Sequence, residues 1–518
     1  MSDALLTSAR PGAGVSARTP LWAKVIDHTR CIGCHACSTA CKSENEVPLS
    51  VNRTYVKYVD VGEFPTVRRA FQVTRCNQCE HPPCVTACPT SAMYRRPDGI
   101  VDFDKAICIG CKACIAACPY DAIFINPDDH SAEKCNLCAH RLDMGLEPAC
   151  VVVCPTEAIL VGDLRDAGSR VATMVKREPV AVRRPEKETQ PKLFYKGAHL
   201  ATLDPLAARR PPGGLFLWGE QASGADAVTS GHPGPGNSSA RAVLSYDVPH
   251  RMPWDWRVSL YTWTKSIAAG TYLVGLGLAK MGLIDPAGTV WRWVVPLLSA
   301  TFLAVTGLLL IWDLEHPERC WLIFRRPQWK SWLVRGAVVI TAYGAVLGGH
   351  LAASWIAADR LNQALPLLGL PLAVLTAVYT AYLFAQAKGR DLWQSALLPP
   401  HLLGQAVLAG SAALIPVAAA LEAPAVQPLL FVLAAACVAH LGVVVGEITL
   451  THATAHARLA LHEMVRGRYA AWFWGGATLV AAAVAAPWLG VAAAPLALGG
   501  LLAYEHAYVQ AGQAVGMA

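Results

Sequence analysis

The sequence is poor in charge. Asp, Glu, Lys and Arg make up 16% of its 518 residues, where a soluble domain carries about 25%. Apolar residues reach 54% and mean hydropathy is +0.34, which excludes a wholly soluble chain and long disorder. An apolar leader is missing from residues 1–20, and Arg10 and Arg18 stand apart rather than as a twin-arginine pair, so export is not expected. The formal charge of +7 does not point to nucleic acid, because many basic residues fall between apolar runs. Cysteine is nearly absent from the second half, which has only Cys320 and Cys437, whereas residues 1–178 hold 16 of the 18. The chain reads as a cysteine-dense soluble half joined to a membrane half.

The sixteen cysteines form four groups. Cys31, Cys34, Cys37 and Cys41 follow C-x2-C-x2-C-x3-C, and Cys108, Cys111, Cys114 and Cys118 repeat that spacing. Cys76, Cys79, Cys84 and Cys88 follow C-x2-C-x4-C-x3-C, and Cys135, Cys138, Cys150 and Cys154 follow C-x2-C-x11-C-x3-C. Pro89, Pro119 and Pro155 follow the fourth cysteine in three groups, and Lys42 takes that place in the first. Without a secretion signal such cysteines read as metal ligands rather than disulfides. Zinc sites use two C-x2-C pairs, often with histidine. A cubane cluster instead needs four converging thiolates, three from C-x2-C-x2-C and a fourth reaching over from a partner motif. Four groups of four specify four 4Fe–4S clusters. The fourth cysteine is expected at the start of a helix, and Gly33 and Gly110 are expected to let backbone approach the sulfurs. His28, His35, His81, His130 and His140 lie near the motifs and read as packing or solvated groups.

The segments CIGCHACSTACKSEN, RCNQCEHPPCVTACPTSAM, CIGCKACIAACPYDAI and KCNLCAHRLDMGLEPACVVVCPTEAI resemble the four-cluster electron-transfer subunits of complex iron–sulfur molybdoenzymes, over residues 22–165. The resemblance implies that groups one and four share two clusters, that groups two and three share the other two, and that the clusters form a wire from a molybdenum subunit to the membrane. This half shows no G-x-G-x-x-G after a strand, no P-loop and no pterin-sized domain, so the primary substrate site is expected on a partner.

Residues 179–250 are rich in Pro and Gly and read as a linker or a docked tail. Within them KLFYKGAHLATLDP (192–205) is the part expected to dock, and GHPGPGNSSA (231–240) the part expected to move. The organisation is then an N-terminal tail (1–21), a four-cluster ferredoxin-like domain (22–178), the linker (179–250) and a membrane domain (251–518).

Eight apolar runs of about 20 residues, the length that spans a bilayer, lie near 258–279, 293–312, 333–357, 365–386, 399–421, 427–450, 470–487 and 491–512. The predicted fold is an α+β double ferredoxin-like domain with four 4Fe–4S clusters, followed by an all-α eight-helix transmembrane bundle. Twelve Lys and Arg fall on the side where the first run begins and three, Lys280, Arg292 and Arg360, on the other. The positive-inside rule puts the twelve, and the soluble half with them, in the cytoplasm of a bacterial inner membrane. WDLEHPERCWLIFRRPQWKSWLVRGA (312–337), GRYAAWFWGGATL (467–479) and YEHAYVQAGQAV (504–515) resemble the polysulfide-reductase membrane-subunit family, NrfD/PsrC type. That implies a quinone-reactive anchor without haem; His350 and His440 are single and mid-run.

Polar residues inside apolar runs persist when paired, hydrated or functional. A quinone needs a donor at each carbonyl and an apolar wall; Trp256, Tyr261 and Lys265 supply these near the soluble face. Asp313, His316 and Arg319 end the second run on that face. They are candidates for quinone contact or proton relay, or, with Glu315, for an ion-pair network that docks the soluble half. His350, His440 and Glu447 read as a proton path or as interhelical hydrogen bonds. The Arg319–Arg335 run suits topology and anionic lipid.

The resulting expectation is electron transfer between a cytoplasmic molybdenum- or tungsten-bis-pterin subunit and ubiquinone or menaquinone, with sulfite or formate dehydrogenase favoured as the partner type. The alternatives are a redox-driven proton or ion pump module and the wire and anchor of a nickel–iron hydrogenase.

Overall fold

Proline decides where several short helices of the cysteine-rich half stop. The computed structural model describes residues 19–62, 65–204, 206–209 and 242–517; GHPGPGNSSA and most of the N-terminal tail lie outside these. Helices α1 (Ala36–Glu44), α2 (Pro83–Ala87) and α3 (Ala113–Ala117) each begin one residue before the third cysteine of a motif, as does α5 (Ala149–Val152), which follows α4 (Ala139–Leu142). Cys88 and Cys118 close α2 and α3 with ψ of 119° and 118°, because the residue before proline is pushed out of the helical region. Where Lys42 replaces proline, α1 runs on through Cys41 to Glu44. The expectation of a helix opening at the fourth cysteine is therefore corrected: the fourth cysteine lies at or near a helix end. The backbone of Gly33 does approach a sulfur, bonding to the Cys31 thiol, and the two glycines also lack room for a side chain. A Cβ on Gly33 would meet the Phe71 ring at 2.3 Å, and one on Gly110 would meet Glu315 Cβ at 2.3 Å. Both make room for packing neighbours.

Among the described residues, four small sheets hold these helices. β1 (Trp22–Asp27) pairs antiparallel with β8 (Ile159–Asp163) and parallel with β10 (Leu193–Lys196), and β9 (Val180–Ala181) completes that sheet. β2 (Thr54–Val61) and β3 (Arg68–Arg75) form a hairpin to which β11 (Val243–Tyr246) is added. The pairs β4 (Met93–Arg95) with β5 (Val101–Phe103), and β6 (Ile123–Ile125) with β7 (Ala132–Lys134), follow α2 and α3 in the same order. Two helices, α6 (Arg170–Arg177) and α7 (Leu200–Leu203), complete this half. The expected docking of 192–205 is visible in β10, whose Tyr195 is fully buried.

The second half is helical: α8 (Trp256–Lys280), α9 (Val295–Trp312), the short α10 (Leu322–Arg325), α11 (Trp332–Trp355), α12 (Asp359–Ala364), α13 (Pro366–Gln386), α14 (Leu398–Leu421), α15 (Val426–Thr449), α16 (Ala455–Val465), α17 (Ala470–Ala483), α18 (Ala486–Leu489) and α19 (Ala493–Ala514). Among the described residues, six helices are long and apolar enough to cross a bilayer: Val290–Trp312, Trp332–Trp355, Pro366–Gln386, Leu398–Leu421, Ala423–Thr449 and Ala486–Ala514. The first and seventh expected runs are helices outside this set. α17 has 14 residues, and α8 has 25 but carries buried Ser, Thr and Lys. The reason is position. α8 packs against α9, α13, α14 and α19 and buries 18 of its 25 residues, so much of its surface faces protein rather than lipid.

Small residues set the closest crossings, as expected where lipid gives no hydrophobic drive between helices. A Cβ on Gly270 of α8 would stand 1.7 Å from the Ala406 carbonyl oxygen of α14, and one on Gly410 would meet Gly270. Gly476 and Gly500 play the same part between α17 and α19. Gly270→Val is expected to cost at least about 1–3 kcal/mol by overpacking, read as a lowered thermal midpoint of the detergent-solubilised protein. An unchanged midpoint would show that α8 and α14 can separate without loss.

Candidate functional site

The fold brings the sixteen cysteines into four quartets, each mixing two motifs. Cys31, Cys34 and Cys37 line a cavity with Cys154, and Cys108, Cys111 and Cys114 line one with Cys88. Burial raises the Cys41 thiol to about 12, and the charges of Cys135, Cys150 and Cys138 add to the rise. Burial likewise raises Cys84, opposed by Lys134 and reinforced by Cys118, Cys76 and Cys79. Asn45 Nδ2 reaches both Cys41 Sγ and Cys138 Sγ, at 3.7 and 3.8 Å, and the cysteines outside the two cavities fall into Cys41 with Cys135, Cys138 and Cys150, and Cys118 with Cys76, Cys79 and Cys84. Motif one exchanges its fourth cysteine with motif four, and motif two with motif three. No group of three or more His, Cys, Asp or Glu among the described residues is gathered as for a single metal ion.

The donor set suits sulfur held as thiolate. Backbone N–H groups of Met93, Ala132 and Ala158 donate to the sulfurs of Cys88, Cys108 and Cys154 at 3.4, 3.4 and 3.2 Å. Arg75 Nη1 and Lys24 Nζ donate to Cys150 Sγ at 3.0 and 3.5 Å. Burial alone would raise Cys150, but these two cations outweigh it and bring the thiol to about 7. His35 and Lys112 follow the second cysteine of motifs one and three with φ of 59° and 61°, turning the backbone so that the third cysteine comes back to the same cavity.

The quartet of Cys88, Cys108, Cys111 and Cys114 sits against the membrane half. The Trp254 indole N–H donates to Cys111 O at 3.2 Å, and Trp254 stacks on Trp393 and Phe384. Lys112 Nζ lies 2.9 Å from Glu315 and 3.6 Å from Asp313, and donates to Asp313 O at 3.1 Å. Burial raises the Asp313 carboxyl to about 6, against the pull of Lys112 and Arg257. Ser331 Oγ donates to Ala87 O at 2.8 Å and Gln328 N to Pro89 O at 2.9 Å. A cavity of about 510 Å³ opens at this boundary, lined among others by Tyr55, Lys112, His250, Met252, Arg257 and Glu315.

The expected quinone residues divide. His316 Nε2 contacts Asp129 O at 2.9 Å, and Arg319 Nη1 donates to Lys105 O and Cys108 O at 3.0 and 3.1 Å, so both serve the docking of the halves. Trp256 is half exposed, edge-on to Trp312. Tyr261 and Lys265 are buried on α8. Lys265 Nζ donates to Ala377 O at 2.8 Å and Thr380 Oγ1 at 2.9 Å, and the charges of Asp313 and Glu505 both reach the Tyr261 hydroxyl. Tyr261 and Lys265 thus stand one turn apart on α8, Asp313 ends α9 beside Lys112 and Arg257, and Trp256, His316 and Arg319 are set apart. His350 lies with Tyr272 and Trp291, away from His440, which pairs with His401.

Sequence reasoning missed Lys112, Trp254, Thr380 and His401, whose partners lie on distant elements. It also missed an anchor on the docked tail: His250 Nδ1 lies 2.5 Å from Asp121 and Nε2 3.1 Å from Asp247, and Lys57 reaches Asp247 at 3.5 Å.

Two family matches agree with this division. Residues 67–164 match the 4Fe-4S dicluster domain, and residues 245–495 match the polysulphide reductase, NrfD family. The first half is 43% identical over 203 residues to a tetrathionate reductase subunit of Salmonella typhimurium, a match covering 38% of this chain and 80% of the relative. It is 43% identical over 173 residues to a polysulfide reductase component of Wolinella succinogenes, covering 33% of this chain and 91% of the relative. A selenate reductase subunit of Mesobacillus selenatarsenatis is 35% identical over 207 residues, covering 34% of this chain and 71% of the relative. The protein belongs to these families, as an iron–sulfur subunit fused to an NrfD-type membrane subunit. It is accordingly a multi-pass membrane protein of the iron–sulfur electron-transfer class.

The fusion is held partly by His250. Burial would depress its pKa, but the Asp247 charge and the bonds to Asp121 and Asp247 raise it from 6.5 to about 10. A raised folded-state pKa contributes stability that is full below pH 6.5 and is lost as pH rises through about 10. His250→Gln should therefore lower the thermal midpoint of the intact protein at pH 6, with the difference from wild type shrinking toward pH 10. A difference that is constant with pH would mean that His250 acts by shape alone.

Proposed function

We propose that this chain is the electron wire and membrane anchor of a respiratory oxidoreductase complex, carrying electrons between membrane quinone and a catalytic partner of the molybdenum- or tungsten-bis-pterin type. The observation that carries the reading is the seating of the Cys88–Cys108–Cys111–Cys114 quartet on the membrane half through Trp254, Lys112 and Asp313. In this reading each quartet holds one 4Fe–4S cluster, the ligands being the sixteen cysteines named above. When bound, the clusters supply one-electron transfer in series. The protein's part is to hold the thiolates with Arg75, Lys24 and backbone N–H groups and to set the last quartet against the membrane.

A quinone head group is assigned to the membrane side of this boundary rather than to the cavity itself, whose lining is mainly soluble-half and linker residues. Asp313, Tyr261 and Lys265 are the proposed polar contacts beneath it. The named relatives are subunits of reductases for tetrathionate, polysulfide and selenate. The reading therefore takes an electron-accepting reductase partner in place of a sulfite or formate dehydrogenase, with quinol as the donor. The basic residues on one side of the bundle support a cytoplasmic iron–sulfur half. Crossings by α8 and α17, beside the six apolar spans, make up the proposed eight-helix bundle, and the four-part division of the sequence is part of the same reading.

Purification in mild detergent through a tag on this chain is the test. The expected result is about sixteen irons per molecule, a co-purifying subunit holding molybdenum or tungsten, and cluster signals in electron paramagnetic resonance that appear on adding a quinol. Asp313→Asn should keep the iron and slow quinol-driven cluster reduction about tenfold. Nickel in the partner would redirect the reading to hydrogen. A protein that emerges alone with its full iron content would remove the pterin partner.

A further inference from the structure

Beneath the boundary, five buried polar atoms lack hydrogen-bond partners: Glu505 Oε1, Glu447 Oε1, His401 Nδ1, His440 Nε2 and Gln405 Oε1. Their residues come from three helices, Gln405 and His401 on α14, His440 and Glu447 on α15, and Glu505 on α19. Each residue is 5% exposed or less. A cavity of about 20 Å³ is lined by Thr262, His401, Gln405, Tyr504 and Glu505, room enough for a water molecule. Helix-to-helix fastening alone does not account for this arrangement, because an unpaired buried polar group costs about 1–3 kcal/mol and lipid offers no relief.

The groups form two bonded sets that meet across this cavity. Thr262 Oγ1 donates to Glu505 Oε2 at 3.1 Å, and the Glu505 charge acts on Lys265. Next to Glu505 on α19, the Tyr504 hydroxyl donates to Glu447 Oε2 at 2.7 Å. Glu447 Oε1 lies 3.6 Å from His401 Nδ1, and His401 Nε2 lies 2.9 Å from His440 Nδ1. Glu447 stands two residues before the end of α15 and His401 in the first turn of α14. Both ends are on the side of the bundle that carries the soluble half.

We propose that this cavity is a proton-exchange site, in which Glu505 meets the protons of the quinone assigned above and Glu447 with the His401–His440 pair passes them to the cytoplasmic ends of α14 and α15. The proposal rests on the quinone reading. Oxidation of one quinol releases two electrons and two protons; the electrons go to the oxidised clusters, and the protons need acceptors. Glu505 accepts one at a time on its free oxygen, and the imidazoles and Glu447 clear it before the next. The Lys265 ammonium, held by Ala377 and Thr380, supplies the countercharge while Glu505 is ionised.

The test uses the intact complex in membranes, with Glu505→Gln and Glu447→Gln. Both variants are expected to keep the iron–sulfur signals and to lose at least about tenfold in quinol-driven cluster reduction, with partial recovery in Glu505→Asp. Infrared spectra supply a second readout. A protonated-carboxyl band that is absent from the Gln variants should shift in D₂O within minutes in the wild type. Wild-type rates in both variants, or a carboxyl band that stays unshifted for hours, overturns the proton site. Should the Gln variants fail to assemble, dicyclohexylcarbodiimide on the native complex replaces them. Labelling of Glu505 or Glu447 with parallel loss of quinol-driven reduction supports the proposal, and labelling without loss, or no labelling, overturns it. A wild-type complex whose clusters no quinol reduces would instead remove the quinone reading itself.

Discussion

Lys112 is pressed between Asp313 and Glu315, and the rest of the molecule's use depends on that contact. Burying the Lys112 and Asp313 charges is expensive, and such clusters are poor sources of net stability. Here the cluster sets register. Gly110 has no side chain because Glu315 occupies that space, and the backbone N–H groups of Glu315 and His316 close on Gly110 O and Ile109 O. Arg319 then closes over the carbonyls of Lys105 and Cys108. A one-residue slip would leave Lys112 buried without its partners. The motif that gathers Cys108, Cys111 and Cys114 is thereby held at one depth against the membrane half.

The membrane half meets two demands with different residues. Helices that face lipid are apolar around most of their circumference, as α9 and α15 are. α8 is enclosed by four others and can carry Lys265, Thr262 and Ser266 without meeting lipid. Because lipid gives no hydrophobic drive between helices, this centre is held by close backbone approach at Gly270 and Gly410 and by interhelical bonds such as Thr264 with Thr306 at 2.8 Å. The polar residues thus need a tightly packed bundle, and the glycine crossing provides it.

This division also explains what could be read from the sequence. The cysteine motifs were legible because their members lie close together in the sequence and proline marks the end of most of them. Their exchange between motifs came from family resemblance, and the geometry agrees with it. The docking contact could not be read, since Lys112 and Asp313 lie 201 residues apart and nothing in either segment names the other. α8 falls outside the six long apolar helices because, enclosed by four others, it carries buried Ser, Thr and Lys. Trp256 looked suitable by composition, but the helical period turns it outward toward Trp312. Lys265 and Glu447 were visible as charges in apolar runs, while Tyr504 and His401, which bond Glu447 and His440, look like ordinary helix residues until the helices are packed.

Fusion changes what the interface has to do. Two separate subunits would need enough binding energy to overcome dilution, whereas a tether supplies a high local concentration at no cost in contacts. In this protein the tether is also short and pinned. β11 ends at Tyr246 and α8 begins at Trp256, so the residues between them can span no more than about 30 Å. Half-way along, His250 is clamped to Asp121, which lies just beyond the third motif, and to Asp247. The first turn of α8 therefore cannot drift from the sheet that supports the cysteines. At the other end Arg183 donates to Met517 O and Arg390 to Val515 O, which fastens the end of α19 to the same face. With both ends of the bundle tied in this way, the polar boundary need not bind strongly. It can be open and lined with charge without loosening the join.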